Sequence, residues 1–465
     1  MHYEKLPDGS VKCIEDEIPF ELPQWWEWTF LSNIVCVLNG DRGQNYPAKN
    51  KLQNEGIPFV SASNIEDGVV SADGLLCLSD AQYNALGAGK LVSGDIVYCI
   101  RGSLGKCGLF TMEKGAIASS LVIVRSILDN THVRDYIFLY LNSAFADEEI
   151  KKYDNGSAQP NLAAKDFTHF LVPIPPQKEM QRINEQAQKA LGYVKSIQNS
   201  KSELCDAIAM TKSKILDLAI RGKLVPQDSN DEPASVLLER IRAEKEELIK
   251  QGKIKRDKRE SVIFKGEDNS YYEKVGSEVR CIDEELPFEV SDSWAFARLK
   301  HIGEVVGGGT PKTTVSEYWN GEIPWLTPAD FSGYEDMYIS AGSRTITEIG
   351  LQSSSAQMLP TNSILYSSRA PIGYIAINSN PVSTNQGFKS LVPFDIAMTQ
   401  YLYYCLKART DDIVRRATGT TFKEISGTEM AETIIPLPPI NEQKRIFEQA
   451  SQMLKIITKI EKSLS

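Results

Sequence analysis

The sequence predicts an α+β fold: two similar mixed α/β domains separated by long coiled-coil helices in a pseudo-twofold arrangement. Three observations predict it. The phrase "VPIPPQKEMQRI" (Val172 to Ile183) returns as "IPLPPINEQKRI" (Ile435 to Ile446). Three further segments recur in the same order, which marks a tandem duplication with a period far too long for a solenoid. After each repeated phrase, apolar residues alternate at spacings of four and three, the seam of a coiled coil.

The elements follow in chain order. "YEKLPDGSVKCIEDEIPFELPQWWEWTFLSNI" (Tyr3 to Ile34) opens the first copy, and its Cys13, Pro19, Phe20, Trp26, Leu31 and Ile34 return at one constant separation as Cys281, Pro287, Phe288, Trp294, Leu299 and Ile302. "GIPFVSASNI" echoes "EIPWLTPADF", and "GDIVYCIRGSLG" echoes "NSILYSSRAPIG". "DIVYCI" and "SILYSS" are short β-branched and aromatic runs bounded by turn residues, and read as strands. "RDYIFLYLNSAFADEEIKKY" and "MTQYLYYCLKARTDDIVRRA" carry helical apolar spacing, and each reads as a helix. Beyond "PIPPQ", the seam runs Ile183, Ala187, Ala190, Val194, Ile197, Leu204, Ile208, Ile215 and Leu218. Gln177 to Arg221 spans about 67 Å if helical throughout. Beyond "PLPPI", it runs Ile446, Ala450, Met453, Ile457, Ile460 and Leu464. Prolines suit a helix entrance, where a missing N–H costs nothing. The expected domains are 1–175 and 266–435, with a central helical segment 176–265 and a C-terminal helix 436–465. Gly222 to Glu260 has no second copy, and Lys250 to Arg259 reads as a solvated basic run.

Composition narrows the function. The chain of 465 residues, 42% hydrophobic and 24% charged, is a soluble globular sequence of two or three domains. No apolar run is long enough for a membrane span, and the first residues lack the order of a secretion signal. The eight cysteines are scattered without metal-ligand spacing, so zinc is not expected, a reducing cytoplasm fits, and each reads as a small buried hydrophobe. A net charge of −10 argues weakly against nucleic acid, but local charge on a groove decides binding.

Catalytic patterns are missing. "GGGTPKT" (Gly307 to Thr313) is not a phosphate loop, because Pro311 stands between Thr310 and Lys312 where that loop needs glycine directly before lysine. The four histidines share no motif, and no G-x-S-x-G elbow, HExxH or dinucleotide fingerprint occurs. "PIPPQ" and "PLPPI" lack the acid or amide and the aromatic of an amino-methyltransferase motif. The chain reads as noncatalytic.

Polar glycine loops recur in matched places. "NGDRGQNYP" and "GGGTPKT" follow the first helix of each copy, "RGSLGKCG" and "SRAPIGY" follow a strand, and "DNGSAQPNL" and "TGTTFKEI" precede the last helix. Glycine permits close backbone approach, and polar side chains reach phosphates and base edges. Any one loop is ordinary turn chemistry, whereas three loop types in two copies point to a shared binding surface. The candidate DNA-binding residues are Arg42, Asn45, Arg101, Ser103, Lys106, Ser157 and Gln159 in the first copy. In the second they are Thr310, Lys312, Arg369, Asn385, Gln386, Thr420 and Lys423.

The doubled "P-[IL]-P-P…R-I…E-Q-A" junctions, the doubled "PFE…W…L…I" openings and "GKLVPQ…EPAS…LL" between the copies resemble the specificity (S) subunit of type I restriction–modification systems, over nearly the whole chain. The resemblance implies one target recognition domain per half of a split double-stranded DNA site. It also implies antiparallel helices that hold the domains apart, and a noncatalytic scaffold for two methyltransferase (M) subunits joined by restriction (R) subunits. S-adenosylmethionine, ATP and Mg would sit on those partners and none on this chain. A protein-interaction scaffold without sequence-specific DNA contact stays open as the alternative.

Overall fold

The computed structural model describes residues 3–5, 8–153, 161–252, 256, 260–419 and 423–464. The chain forms two compact units, Met1–Asn199 and Ser200–Ser465.

In the N-terminal unit a six-stranded sheet runs in the order Val35–Asn39, Leu121–Ser126, Ile96–Cys99, Cys107–Leu109, Val69–Val70, Ile65–Glu66. A four-stranded sheet adds Cys77–Leu78, Ile57–Val60, Lys114–Ile117 and Lys90–Val92. In the C-terminal unit a five-stranded sheet orders Gly303–Gly307, Lys389–Pro393, Ile364–Ser368, Ile372–Asn378, Tyr338–Ile339. The strands read from "DIVYCI" and "SILYSS" are central in each, buried by β-branched and aromatic side chains.

The repeated opening and closing phrases are hydrogen-bonded to each other. Glu27–Phe30 pairs antiparallel with Leu171–Ile174, placing Trp28 opposite Pro173. Ala295–Arg298 pairs with Ile434–Leu437 in the same register, Phe296 opposite Pro436. The Tyr136 hydroxyl donates to the Pro173 carbonyl at 2.5 Å, and the Tyr401 hydroxyl donates to the Pro436 carbonyl at 2.6 Å. The Trp26 indole N–H donates to Glu179 at 3.2 Å, and that of Trp294 to Glu442 at 3.1 Å. Both tryptophans stand in the opening phrase and both glutamates in the first helical turn after the prolines. The duplication thus preserves a clasp that fixes each helix to its own unit.

The long helix Gln177–Ile220 is continuous. Val194 and Ile197 on its predicted seam are 51% and 68% exposed. Within the C-terminal unit, its Ile215, Leu216, Ala219 and Ile220 share one core with Ile446 and Ala450 of the helix Ile440–Lys462, and Lys212 pairs with Glu461. Gly222 ends the long helix at φ +67°, and the Lys223 N–H bonds back to the Leu218 carbonyl at 2.9 Å.

The segment Gly222–Glu260 contributes the helix Ala234–Lys250. Strand Ser261–Lys265 then joins the hairpin Tyr271–Val275 and Glu278–Cys281. Beneath this sheet lies a buried ion network. Arg298 donates to both Glu273 oxygens at 2.6 Å, Arg280 adds a bond at 2.6 Å and the Ser261 hydroxyl one at 2.7 Å. Glu432 completes it, 3.2 Å from Arg298 and 2.6 Å from Lys300. The Arg298 guanidinium holds the Glu273 carboxyl down at about 2, and burial pushes the neighbouring His301 down to about 3. Phe30 occupies the position of Arg298 in the first copy, so the central guanidinium of this arrangement is not repeated there.

Three expectations are corrected. Each predicted single helix is two: Thr131–Leu141 and Ala144–Tyr153, then Thr399–Ala408 and Thr410–Arg416. The Asn142 amide donates to the Phe138 carbonyl at 2.8 Å and the Ser143 hydroxyl accepts from the Ala146 N–H at 3.3 Å, so local side-chain bonds replace the helical ladder there. The first polar loops follow strands, because Leu31–Asn33 and Leu299–Ile302 are helical turns only. Cys13, Cys36, Cys205 and Cys281 are exposed, being on hairpins, an edge strand and the open stretch of the long helix; Cys77, Cys99, Cys107 and Cys405 are buried.

Candidate nucleic-acid interface

In both copies the loop types converge, through equivalent bonds. The Ile100 N–H donates to the Ser120 carbonyl at 3.0 Å, and the Ser368 N–H to the Gly387 carbonyl at 2.7 Å. The Leu162 N–H donates to the Ile100 carbonyl at 2.9 Å, and the Ile425 N–H to the Ser368 carbonyl at 3.0 Å. The first loop reaches the same neighbour each time: Arg42 donates to the Ser119 carbonyl at 3.2 Å, and the Thr310 hydroxyl donates to Gln386.

In the N-terminal unit Arg42, Arg101 and Lys165 surround one concavity with Asn39 and Asn161. The Arg101 Nε–H donates to Asn161 Oδ1 at 3.1 Å. Asp41 shapes the loop by accepting from the Gly43 and Gly87 N–H groups at 2.7 and 2.8 Å, and those backbone bonds lower its pKa. Two candidates turn to local structure instead. The Asn45 amide donates to the Ala85 carbonyl at 2.7 Å, and the Lys106 ammonium donates to the Ala62 carbonyl at 3.0 Å beside a different concavity. Ser103 is exposed in the Arg101 loop. Ser157, Gln159 and Thr420 lie outside the described residues.

In the C-terminal unit Thr310, Lys312, Arg369, Asn385, Gln386 and Lys423 belong to the converging loops, with Lys312 and Lys423 exposed. The Gly307–Thr313 loop is locked by two indoles: Trp325 donates to the Gly309 carbonyl at 2.9 Å and Trp319 to the Lys312 carbonyl at 3.2 Å. Arg344 stacks on Trp319, 3.7 Å from the ring centroid. A Cβ on Gly308 would lie 1.9 Å from the Asn385 carbonyl oxygen, and one on Gly309 2.2 Å from the Ala356 nitrogen. Gly308→Ala is therefore expected to lower stability by roughly 1–3 kcal/mol through overpacking. Urea denaturation of the full chain checks it, and an unchanged midpoint rejects the tight loop.

Sequence reasoning passed over Lys165, Arg344, Lys389 and Glu424. Glu424 Oε2 lies 3.6 Å from Arg369 Nη1, and its Oε1 3.8 Å from Lys389 Nζ. The spacing of Trp319 and Trp325 just after a triple glycine was a usable signal for Arg344, since tryptophan faces attract guanidinium. Lys165 and Glu424 have no matching residue type in the other copy, so a search for repetition misses them. Among the described residues no group of side chains forms a metal site, and no helix is long and apolar enough to cross a membrane.

A family profile described as the type I restriction modification DNA specificity domain matches residues 23–204 and 291–465. The type I restriction enzyme MjaIX specificity subunit of Methanocaldococcus jannaschii is 44% identical over 160 residues, 34% of this chain and 37% of that protein. The EcoAI specificity subunit of Escherichia coli is 29% identical over 350 residues, 65% of this chain and 54% of that protein. The matches thus span about a third to about half of these relatives. In fold, a chain from a study of complex assembly and conformational transition of the type I R-M system gives a TM-score of 0.61 at 18% identity, over 96% of this chain and 94% of that one. The HsdS subunit from Thermoanaerobacter tengcongensis gives 0.50 at 16% identity, over 97% and 94%. The profile covers the loops and junctions of both copies and the last residues of their openings, and on that match the chain belongs to the type I restriction modification DNA specificity domain family.

Proposed function

We propose that the chain is the noncatalytic DNA-recognition subunit of a type I restriction–modification complex, and that each unit reads one half of a split double-stranded target. The observation that carries this is the same convergence of polar loops in both copies, with Arg101 and Arg369 at equivalent points and different neighbours around them. Repeated framework with divergent loop chemistry is what reading two different half-sites needs. Phosphates are held by cations and bases by directed donors and acceptors. The exposed Leu191, Val194 and Ile197 of the long helix support docking of methyltransferase subunits, two in number, with restriction subunits joining them. S-adenosylmethionine, ATP and Mg belong to those partners.

The test is binding of the full chain, with its methyltransferase subunit, to duplexes randomised in each half-site. Arg101→Ala is expected to cost about 1–3 kcal/mol against targets of the first half-site only, and Arg369→Ala the same against the second only. Equal loss in both half-sites from either variant rejects one reader per unit. Absence of any sequence preference in the unaltered complex leaves only a protein scaffold.

A further inference from the structure

We infer that Glu424 is a specificity-determining residue that accepts a hydrogen bond from the exocyclic amino group of a base, cytosine N4 or adenine N6, in the half-site met by the C-terminal unit. The inference rests on the DNA-recognition reading and names one of its contacts.

The two copies place different chemistry at one point. Leu162 and Ile425 make the same backbone bond to the residue before the arginine, and the residues that precede them are Asn161 and Glu424. Asn161 accepts from Arg101, whereas Glu424 faces Arg369. The main chain of Glu424 is fixed by a reciprocal pair of bonds with Thr418, at 2.9 and 3.1 Å, and by the bond from Ile425. Its side chain is 40% exposed. The cations of Arg369 and Lys389 hold the carboxylate from two sides at 3.6 and 3.8 Å, which is too long for a hydrogen bond. Among the described residues neither carboxylate oxygen accepts a hydrogen bond, so both keep that capacity.

A carboxylate among DNA-facing loops repels phosphate. In the major groove it gains only from an amino group, and it disfavours the acceptors guanine O6 and thymine O4. Glu424 therefore selects by attraction and by rejection at one base pair, and Arg369 and Lys389 offset its charge against the backbone.

The experiment compares the unaltered chain, Glu424→Gln and Glu424→Ala, each full length with the methyltransferase subunit, on duplexes randomised across both half-sites. In Glu424→Ala the preference for an amino-bearing base should fall at least tenfold at one position of the second half-site, and in Glu424→Gln it should fall less, because the amide oxygen still accepts while its NH2 group no longer rejects an acceptor base. Which base is lost separates cytosine from adenine. Unchanged selectivity in the first half-site reports that the variants are folded. Tighter binding to every sequence by one common factor overturns the proposal, because Glu424 then only neutralises its two cations. Unchanged preference in Glu424→Ala overturns it too. If the unaltered chain shows no sequence preference, the recognition reading falls and the proposal with it.

Discussion

Arg298→Ala should lower the stability of the C-terminal unit by roughly 3–5 kcal/mol, because it leaves the Glu273 carboxylate buried beside a single remaining cation. A methionine at the same position, combined with Glu273→Leu, should recover much of the loss, since replacing both partners removes the uncompensated charge. The network also fixes the acid response. The Glu273 pKa is depressed in the folded state, so its contribution is complete above its usual 4.5 and fades as pH falls toward about 2. His301 is held neutral by burial, which costs stability as pH falls below its usual 6.5. Both act in one direction, and the Arg298→Ala protein should lose the Glu273 part of the dependence. Urea midpoints of the full chain between pH 3 and pH 7 measure this; a parallel pH profile in the variant would falsify the assignment.

Trp294→Ala should cost about 3–5 kcal/mol, the range for emptying a buried aromatic site. Its ring packs against Tyr401, and a Cβ on Gly222 would lie 2.9 Å from it. The indole also supplies a hydrogen bond to Glu442, which is 0% exposed and whose Oε1 has no partner among the described residues. Burial raises the Glu442 pKa, so the folded state binds the extra proton and stability falls as pH rises through the carboxylate range. Losing the indole donor moves that pKa further up, so the variant should decline more steeply toward neutral pH. Trp26→Ala should cost less, because Trp26 and Glu179 are only half-buried. Thermal denaturation of the two variants side by side decides it, and equal losses reject the burial argument.

The framework was legible where repetition and periodicity act together. The central strands and the long helix follow from apolar spacing that two copies repeat, whereas the pairing of the opening and closing phrases into a clasp came from the structure alone. The helix breaks at Asn142 and Arg409 were not, because they depend on local side-chain bonds that periodicity does not register. The Glu273–Arg298 network was hidden for a related reason. Glu273, Arg280 and Arg298 sit on separate strands with no periodic spacing to join them, and the first copy has phenylalanine where the second has Arg298. Among the loop candidates, convergence was visible and direction was not. Asn45 and Lys106 satisfy nearby carbonyls, a choice made by fold geometry rather than by residue type.

The clasp has a consequence for modularity. Since Glu27–Phe30 is bonded to Leu171–Ile174 and Ala295–Arg298 to Ile434–Leu437, the chain enters and leaves the stretch between each pair at a single place, immediately beside the root of the following helix. Everything in between is a closed excursion anchored at one point. Such a cassette can be lengthened, shortened or exchanged whole without changing where its helix starts. The near-identical phrases at its two ends are then the natural seams along which one excursion can be cut out and another set in.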